Sequence, residues 1–241
     1  MAYTSWRGVV GLVKPTRRPG SLEELVRMLP EGVGLIPMLL NVRGGTLEEF
    51  QAAIPFYEEK VAELAADGAD LILCSGTPPF MLLGYEGEAK LVRAWRRKYK
   101  TMIVSQGMTH VNALRALGIR SFVGASYSAL QNEIVVKYMG EAGFEIADMR
   151  PIEVPFDRVG QLTPEEVYAH VKKMFLAAGG ADGIYIQGGG WRMTPIIETL
   201  ERDLGVPVVI SSAADCWEIQ KLLAIHEPRP GLGRLLAELP G

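Results

Sequence analysis

The sequence lacks the features that mark several large classes of protein. Its 241 residues contain only two cysteines, Cys74 and Cys216, which is too few for the disulfide framework of a small secreted domain. No stretch approaches the roughly 20 apolar residues needed to span a bilayer, and the first apolar run, residues 9–13, is too short for a signal peptide. We therefore expect a cytoplasmic protein with no membrane partner.

An excess of charge of one sign is also missing. Lysine and arginine number 25 against 28 acidic residues, for a net charge of −3, so we expect no nucleic-acid partner. The three histidines, His110, His170 and His226, are scattered without the spacing of a ligand pair, so we predict no metal site. Neither a dinucleotide-binding fingerprint nor a Walker loop is present, which disfavours a nicotinamide or ATP enzyme.

The chain does contain one pattern twice. Residues 68–70 and 180–182 both read Gly-Ala-Asp, and each triplet opens a short apolar run that ends in a loop of small residues, 75–79 and 187–190. Such loops leave backbone N–H groups free where the chain enters a helix, and these groups bind anions. The repeat favours two similar halves whose loops face one cleft, although any α/β chain repeats strand–loop–helix units.

Short apolar runs alternate with longer amphipathic ones, which predicts parallel βαβ units with right-handed crossovers. The join between the halves is expected at residues 117–119, so that residues 1–117 plus 215–241 form the N-terminal half and 118–214 the C-terminal half. Strands are predicted near 8–13, 33–39, 70–75, 101–105, 120–125, 144–149, 183–187 and 207–211. Helices are predicted near 21–29, 46–67, 86–99, 108–117, 127–142, 163–179, 193–204 and 214–225.

In parallel sheets of this kind, ligands bind beyond the carboxyl ends of the strands. The residues after the predicted strands are rich in hydroxyls and glycine, which suits a carboxylate or an enolate oxygen because prearranged donors stabilise charge without reorganising. Local explanations also exist: Thr77 and Ser212 as helix caps, and Tyr127 as a packing residue. The loops are Lys14-Pro15, Ser75-Gly76-Thr77, Ser126-Tyr127, Gly188-Gly189-Gly190-Trp191-Arg192 and Ser211-Ser212.

Three other features allow more than one interpretation. Cys74 ends a strand close to a predicted helix N-terminus, which favours thiolate, but a buried apolar cysteine is also typical of a core. Residues 151–162 are long enough to form a lid and equally suit ordinary surface. Residues 43–45 are either a loop that closes on ligand or a plain turn.

Six segments carry, through their order and spacing, a resemblance to a known family. They are residues 111–120, Ala125-Ser126-Tyr127 with Asn132, residues 182–190, residues 204–209, Ser211-Ser212 with Trp217, and residues 229–235. With these segments, which run through most of the chain, the sequence resembles the aspartate/glutamate racemase superfamily. Within it, the sequence is most similar to the branch of arylmalonate decarboxylase and maleate cis-trans isomerase.

The resemblance implies an α/β fold of two similar Rossmann-like halves. Each is a parallel sheet flanked by helices, and a pseudo-twofold relates them with the site between. It further implies a site without a cofactor that makes or protonates a carbanion beside a carboxylate. By position, a dioxyanion pocket would use Thr77, Tyr127 and the amides of Gly189, Gly190 and Gly76, while the departing carboxylate would lie in an apolar pocket.

The sequence departs from the family pattern at the thiols. Racemases of the superfamily carry one cysteine in each half and the decarboxylases keep the second, but the corresponding positions here are Gly76 and Gly188. Cys74, two residues before the first of these positions, is the nearest substitute. Lys14 and Arg192 add positive charge that can pair with a substrate carboxylate, and a desolvated Lys14 can also donate the proton.

Three functions are compatible with these features. The first is decarboxylation of a malonate-type acid through an enediolate, with Cys74, Lys14 or a bound water as the proton donor. The second is a Cys74-dependent isomerase or racemase, and the third is a carboxylate-binding relative without catalysis. The expected partner is a small carboxylate, and a homo-oligomer is left open. The candidate catalytic residues are Cys74, Lys14 and Tyr127. The candidate substrate-binding residues are Gly76, Thr77, Asn132, Gly188, Gly189, Gly190, Arg192 and Ser211.

Overall fold

The computed structural model describes residues 3–241, and within that range no helix is long and apolar enough to cross a membrane. The strands are β1 (Gly8–Lys14), β2 (Val33–Leu39), β3 (Leu71–Cys74), β4 (Met102–Ser105), β5 (Ser121–Ser126), β6 (Glu145–Pro151), β7 (Gly183–Ile186) and β8 (Val208–Ile210). The helices are α1 (Ser21–Met28), α2 (Leu47–Gln51), α3 (Ile54–Ala66), α4 (Thr77–Met81), α5 (Tyr85–Tyr99), α6 (Gln106–Ala116), α7 (Ala129–Glu141), α8 (Pro164–Ala177), α9 (Ile197–Leu204), α10 (Ser211–Leu222) and α11 (Arg234–Glu238).

The strands form two sheets of identical design. The first sheet has the order β2-β1-β3-β4 and the second the order β6-β5-β7-β8, and every pair of neighbours is parallel. The two halves therefore repeat one arrangement of βαβ units. This confirms the predicted α/β fold of two similar parallel sheets flanked by helices.

The predicted elements differ from the observed ones mainly among the helices. Each predicted strand is present to within two residues of its ends. The predicted helix at 46–67 is two helices, α2 and α3, because the chain restarts with Pro55 in the first turn of α3, where the missing N–H is not needed. Helices α4 and α11 escape prediction because five residues carry no periodic pattern.

Helices α6 and α10 pack against each other at the seam between the halves. They are equivalent elements, since α6 follows β4 and α10 follows β8. Asp215 of α10 accepts hydrogen bonds from Gln106 Nε2 at 2.5 Å and Thr109 Oγ1 at 2.7 Å on α6. Helix α10 also packs against α1, and α11 packs on α10. The division into residues 1–117 plus 215–241 and 118–214 stays a prediction.

The alternation of side chains along the first sheet separates two environments. Leu12 of β1 and Leu73 of β3 belong to the large core that includes the second sheet. Val13 and Cys74, one residue further along each strand, face the other way, into a smaller core with α3 and α5. The face with Leu12 is the one that looks towards the seam, so Lys14 at the end of β1 points to the same side.

Candidate active site

A cavity lies at the seam, beyond the carboxyl ends of strands from both sheets. It brings together six of the predicted site residues. From the first half come Lys14, Gly76 and Thr77, and from the second half come Tyr127, Gly189 and Gly190. The convergence of loops after β1, β3, β5 and β7 is the arrangement expected of parallel α/β sheets.

Two hydroxyl-bearing residues, one from each half, line this cavity. Thr77 begins α4 and is 1% exposed, and its Oγ1 accepts a hydrogen bond from Gln187 Nε2 at 2.6 Å. The Tyr127 hydroxyl accepts a hydrogen bond from Gln131 Nε2, also at 2.6 Å. Burial raises the pKa of the Tyr127 phenol, so the group stays a neutral O–H donor.

Backbone amides differ in their availability within the predicted glycine loops. The Gly76 N–H donates to Gln106 Oε1 at 2.8 Å, and the Gly188 N–H donates to Ser211 Oγ at 3.3 Å. In residues 3–241 neither the Gly189 nor the Gly190 N–H has a hydrogen-bond partner. The expected contribution of the Gly76 amide is thus corrected, because that group is already occupied, whereas two glycine amides of the second half are free for an anion.

Lys14 is the ionisable group of the cavity. It is 5% exposed, and its Nζ donates to the carbonyl oxygens of Thr16, at 3.2 Å, and Arg18. A third, longer contact of 3.5 Å joins it to Thr16 Oγ1. Burial, reinforced by the positive charge of Arg18, lowers the pKa of Lys14 to about 8. An ammonium with that pKa exchanges its proton readily near neutral pH.

Arg18 and Phe156 complete the cavity, and sequence reasoning missed both. The Arg18 guanidinium carbon lies 3.8 Å from the centroid of the Phe156 ring, and Arg18 Nη1 donates to the Phe156 carbonyl oxygen. Phe156 belongs to the 151–162 segment and packs edge-on against Phe50 with ring centroids 6.2 Å apart. Their only sequence signal is position: Arg18 lies in the loop after β1, and Phe156 in the suspected lid.

Cys74 does not lie on the cavity, and its predicted role is corrected on this ground. Its side chain is fully buried in the smaller core beside Val13 and Ile72. Burial, together with nearby Glu88, raises the pKa of the Cys74 thiol above its usual range. A neutral thiol on the outer face of the sheet has neither the ionisation nor the position to act on a ligand at the seam.

Three other predicted substrate-binding residues are also elsewhere. Asn132 is committed to structure, because its Oδ1 accepts from Ser126 Oγ and its Nδ2 donates to the Met149 carbonyl oxygen, both at 2.9 Å. Arg192 is exposed and lines a separate depression on the surface. Ser211 lines a small pocket adjoining the cavity and holds the Gly188 amide, so it shapes the glycine loop.

Comparison with known proteins places this chain in a family. The family model for arylmalonate decarboxylase matches residues 10–236. The chain belongs to the arylmalonate decarboxylase family. It is 28% identical to arylmalonate decarboxylase of Bordetella bronchiseptica over 217 residues, 86% of this chain and 90% of the relative. It is also 28% identical to maleate isomerase of Nocardia farcinica over 196 residues, 78% of this chain and 77% of the relative.

Solved structures agree with this membership. A doubly substituted arylmalonate decarboxylase in its liganded form superposes with a TM-score of 0.88 at 26% identity, covering 96% of this chain and 99% of that one. The maleate isomerase Iso from Pseudomonas putida S16 superposes with a TM-score of 0.89 at 20% identity, over 96% and 99% of the two chains. At 20% identity, the similarity to this maleate isomerase shows only that the two chains share a fold.

The two thiol positions that the family resemblance assigns are built here for glycine. Gly76 has φ +93° and Gly188 has φ +137°, conformations that residues with a side chain rarely adopt. A Cβ on Gly76 would lie 2.4 Å from Pro15 Cγ, and a Cβ on Gly188 would lie 2.7 Å from Trp191 Nε1. This member of the arylmalonate decarboxylase family therefore has no room for a thiol at either position without local rearrangement.

Restoring the second thiol is expected to damage the site instead of improving it. The Gly188→Cys variant should lose about 2 kcal/mol of stability through backbone strain and overpacking, a fall in Tm of about 6 °C. Thermal unfolding followed by circular dichroism measures this. Gly140→Cys is the matched control, since a Cβ there meets nothing within 4 Å. Equal Tm values for the two variants would contradict the argument.

Proposed function

We propose that this chain decarboxylates a small malonate-type acid without a cofactor, with Lys14 as the proton donor. The observation that carries the proposal is the presence of the Thr77 hydroxyl, the Tyr127 hydroxyl and the Lys14 ammonium on one cavity at the seam. Family membership supports carbon-acid chemistry in general, because the relatives are named arylmalonate decarboxylase and maleate isomerase. The choice between those two reactions rests on the residues of this site.

The reaction follows from where negative charge develops. One carboxylate is retained and accepts hydrogen bonds from the Thr77 and Tyr127 hydroxyls. When the other carboxylate leaves as CO2, the electron pair of the broken C–C bond moves into the retained group, which becomes an enediolate. Donors already in place stabilise that added charge without reorganising. A proton then passes from Lys14 Nζ to the α-carbon, and the neutral amine takes a proton back from solvent.

The contacts of Lys14 suit a proton donor. An ammonium has three N–H groups, and the Thr16 and Arg18 carbonyl oxygens engage two of them. The third faces only a long contact of 3.5 Å to Thr16 Oγ1. After transfer, the neutral amine still has two N–H groups for the two carbonyls, so the surrounding loop need not move.

The isomerase alternative is less compatible with this cavity. The residues that line it in the described part of the chain include no cysteine, whereas the sequence-based alternative required Cys74. Two-base racemisation needs an acid on each face of the carbanion, and Lys14 provides for one face only. A single donor is sufficient for decarboxylation, which protonates the carbanion once.

The size of the cavity favours a small substrate. Its volume is about 50 Å³, and an aryl ring would add six carbon atoms to the two carboxylates that the cavity must already hold. The Phe156 ring takes up further space beside Tyr127, with ring centroids 6.1 Å apart. We therefore propose an alkyl-substituted malonate, such as methylmalonate, in preference to an aryl-substituted one.

Proton NMR of methylmalonate incubated with the protein in D2O tests the proposal. The expected result is release of CO2 and propionate that carries one deuterium at the α-carbon. Maleate is the comparison acid: its conversion to fumarate without CO2 release would favour the isomerase. Malonate binding without turnover of either acid would contradict the enzyme and favour the carboxylate-binding alternative.

Cysteine chemistry is expected to contribute nothing. Both Cys74 and Cys216 are buried and free, so iodoacetamide should leave methylmalonate turnover unchanged over a time in which an exposed thiol reacts fully. The Cys74→Ala variant should keep kcat within about threefold of the wild type, apart from a loss of stability from the small cavity it creates. Complete inactivation of the folded variant would restore the thiol mechanism.

A further inference from the structure

Two buried glutamines touch the two hydroxyls that line the cavity. Gln187 follows β7 in the second half and reaches across the seam to Thr77 of the first half, with Nε2 2.6 Å from Thr77 Oγ1. Gln131 lies in the first turn of α7, with Nε2 2.6 Å from the Tyr127 hydroxyl. Gln187 is 2% exposed and Gln131 1%. Neither residue takes part directly in the proposed decarboxylation or in the proton transfer from Lys14.

The direction of these hydrogen bonds has a chemical consequence. A hydroxyl has one donor and two acceptor sites, while an amide NH2 only donates. Each glutamine therefore occupies a lone pair of its hydroxyl and leaves the hydroxyl proton uncommitted. In the described part of the chain, neither hydroxyl donates to any other group. Both protons are thus available to an acceptor in the cavity.

We infer that Gln187 and Gln131 are positioning residues, which hold the Thr77 and Tyr127 hydroxyl protons towards a fully ionised carboxylate. This inference rests on the proposed function and specifies the ligand chemistry of the same cavity. A carboxylate only accepts hydrogen bonds and matches two committed donors. A carboxamide of the same shape places an NH2 donor against one of the two hydroxyl donors, which forms no hydrogen bond. The two positioned hydroxyls therefore favour a carboxylate over the corresponding carboxamide.

The free amide oxygens support a role beyond packing. Gln187 Oε1 and Gln131 Oε1 are buried, and neither has a partner among residues 3–241. An unpartnered buried acceptor is costly, so these glutamines are poor choices for filling space. Each glutamine leaves its amide oxygen without a partner, and this free-energy cost is explained if its NH2 group is required to donate to the hydroxyl.

A double-mutant cycle tests the inference through the Kd of malonate, measured by isothermal titration calorimetry at pH 8. The Gln187→Glu variant replaces the NH2 donor by a carboxylate that accepts the Thr77 proton, so we expect about 100-fold weaker binding. In the Thr77→Val background there is no hydroxyl proton for the new carboxylate to attract. Only charge repulsion between that carboxylate and malonate remains, so we expect binding to weaken about 10-fold. An equal loss in both backgrounds would overturn the inference.

The pH dependence separates orientation from general repulsion. Burial raises the pKa of an introduced carboxyl, and once protonated it donates to Thr77 again. We expect Gln187→Glu to recover towards the wild-type Kd at pH 6, each compared with the wild type at the same pH. Gln187→Leu should show no such recovery. All variants at Gln187 keep the same charged and titratable groups nearby, so these groups cancel in the comparison. They are Lys14, Arg18, Tyr127, Asp215 and Glu24.

The outcomes distinguish this inference from the proposed function. If the wild type fails to bind malonate, the carboxylate cavity itself is refuted. If the wild type binds malonate but Gln187→Glu binds like Gln187→Leu at both pH values, the proposed function stands and the positioning role fails. The pair Gln131→Glu and Tyr127→Phe repeats the cycle at the second hydroxyl. Circular dichroism and Tm verify that every variant is folded.

Discussion

The Lys14→Met variant is expected to decarboxylate methylmalonate about 1,000-fold more slowly than the wild type. Methionine has a similar length and keeps the cavity filled, but it carries no proton to transfer. Stopped assays of CO2 release give kcat, and malonate titration gives Kd. The loss should fall mainly on kcat, because the carboxylate is held by Thr77, Tyr127 and the free glycine amides.

The Lys14→Arg variant separates charge from proton transfer. Its guanidinium keeps the positive charge but does not give up a proton at neutral pH, so kcat should remain as low as in Lys14→Met. If Lys14→Arg keeps more than about a tenth of wild-type kcat, Lys14 acts through charge alone. Both variants need a Tm measurement, since Lys14 also holds the loop with Thr16 and Arg18.

The pH profile of the wild type carries the same information. The proton donor must be protonated to act, and burial beside Arg18 lowers the pKa of Lys14 to about 8. The rate should therefore be high below that value and fall as pH rises through it. The Lys14→Arg variant should lack this descending limb, because its guanidinium stays charged over the whole range.

The second large effect is expected from the hydroxyls. Thr77→Val and Tyr127→Phe each remove one donor to the enediolate, and each should lower kcat about 100-fold. KM should change less, since the hydrogen bonds strengthen as charge moves onto the retained carboxylate. Tyr99→Phe is a matched control: it removes a hydroxyl that donates to Glu58 and does not line the cavity. Equal effects of all three variants would mean that the losses come from disturbed packing.

The fold could be predicted because its signal is spread over the chain. Eight apolar runs separated by amphipathic stretches specify parallel βαβ units, and the repeated Gly-Ala-Asp triplets mark the corresponding β3 and β7 strands in the two sheets. The hydroxyls of Thr77 and Tyr127 could be predicted for the same reason, since they follow strands that end at the seam. Their positions just after β3 and β5 were sufficient to place them at the carboxyl ends of the two sheets.

Alternation relates Cys74 to Ile72 but does not identify the face of β3 that looks towards the seam, because all four residues of the strand are apolar and buried. Cys74 lies two residues after Ile72, so both side chains share one face of β3. Residues on the opposite face, such as Leu73, look towards the seam. The position of Cys74 at the end of a strand, near a helix N-terminus, favours a reactive thiol in the sequence, but packing turns its side chain into the smaller core.

Other parts of the site depend on paths that a sequence does not reveal. Arg192 directly follows the glycine loop but turns to the surface, while Arg18, four residues after Lys14, returns over the cavity and stacks on Phe156. Gln187 contacts Thr77 only because the two halves pack face to face. Such long-range contacts follow from loop conformation and packing, which have no local pattern.

A crystal structure with bound malonate tests the central claim most directly. The account predicts one carboxylate with its oxygens about 3 Å from the Thr77 and Tyr127 hydroxyls, and Lys14 Nζ as the nearest proton-bearing group to the α-carbon. Malonate bound away from the seam would contradict the account. So would malonate in the cavity with its carboxylates turned from both hydroxyls.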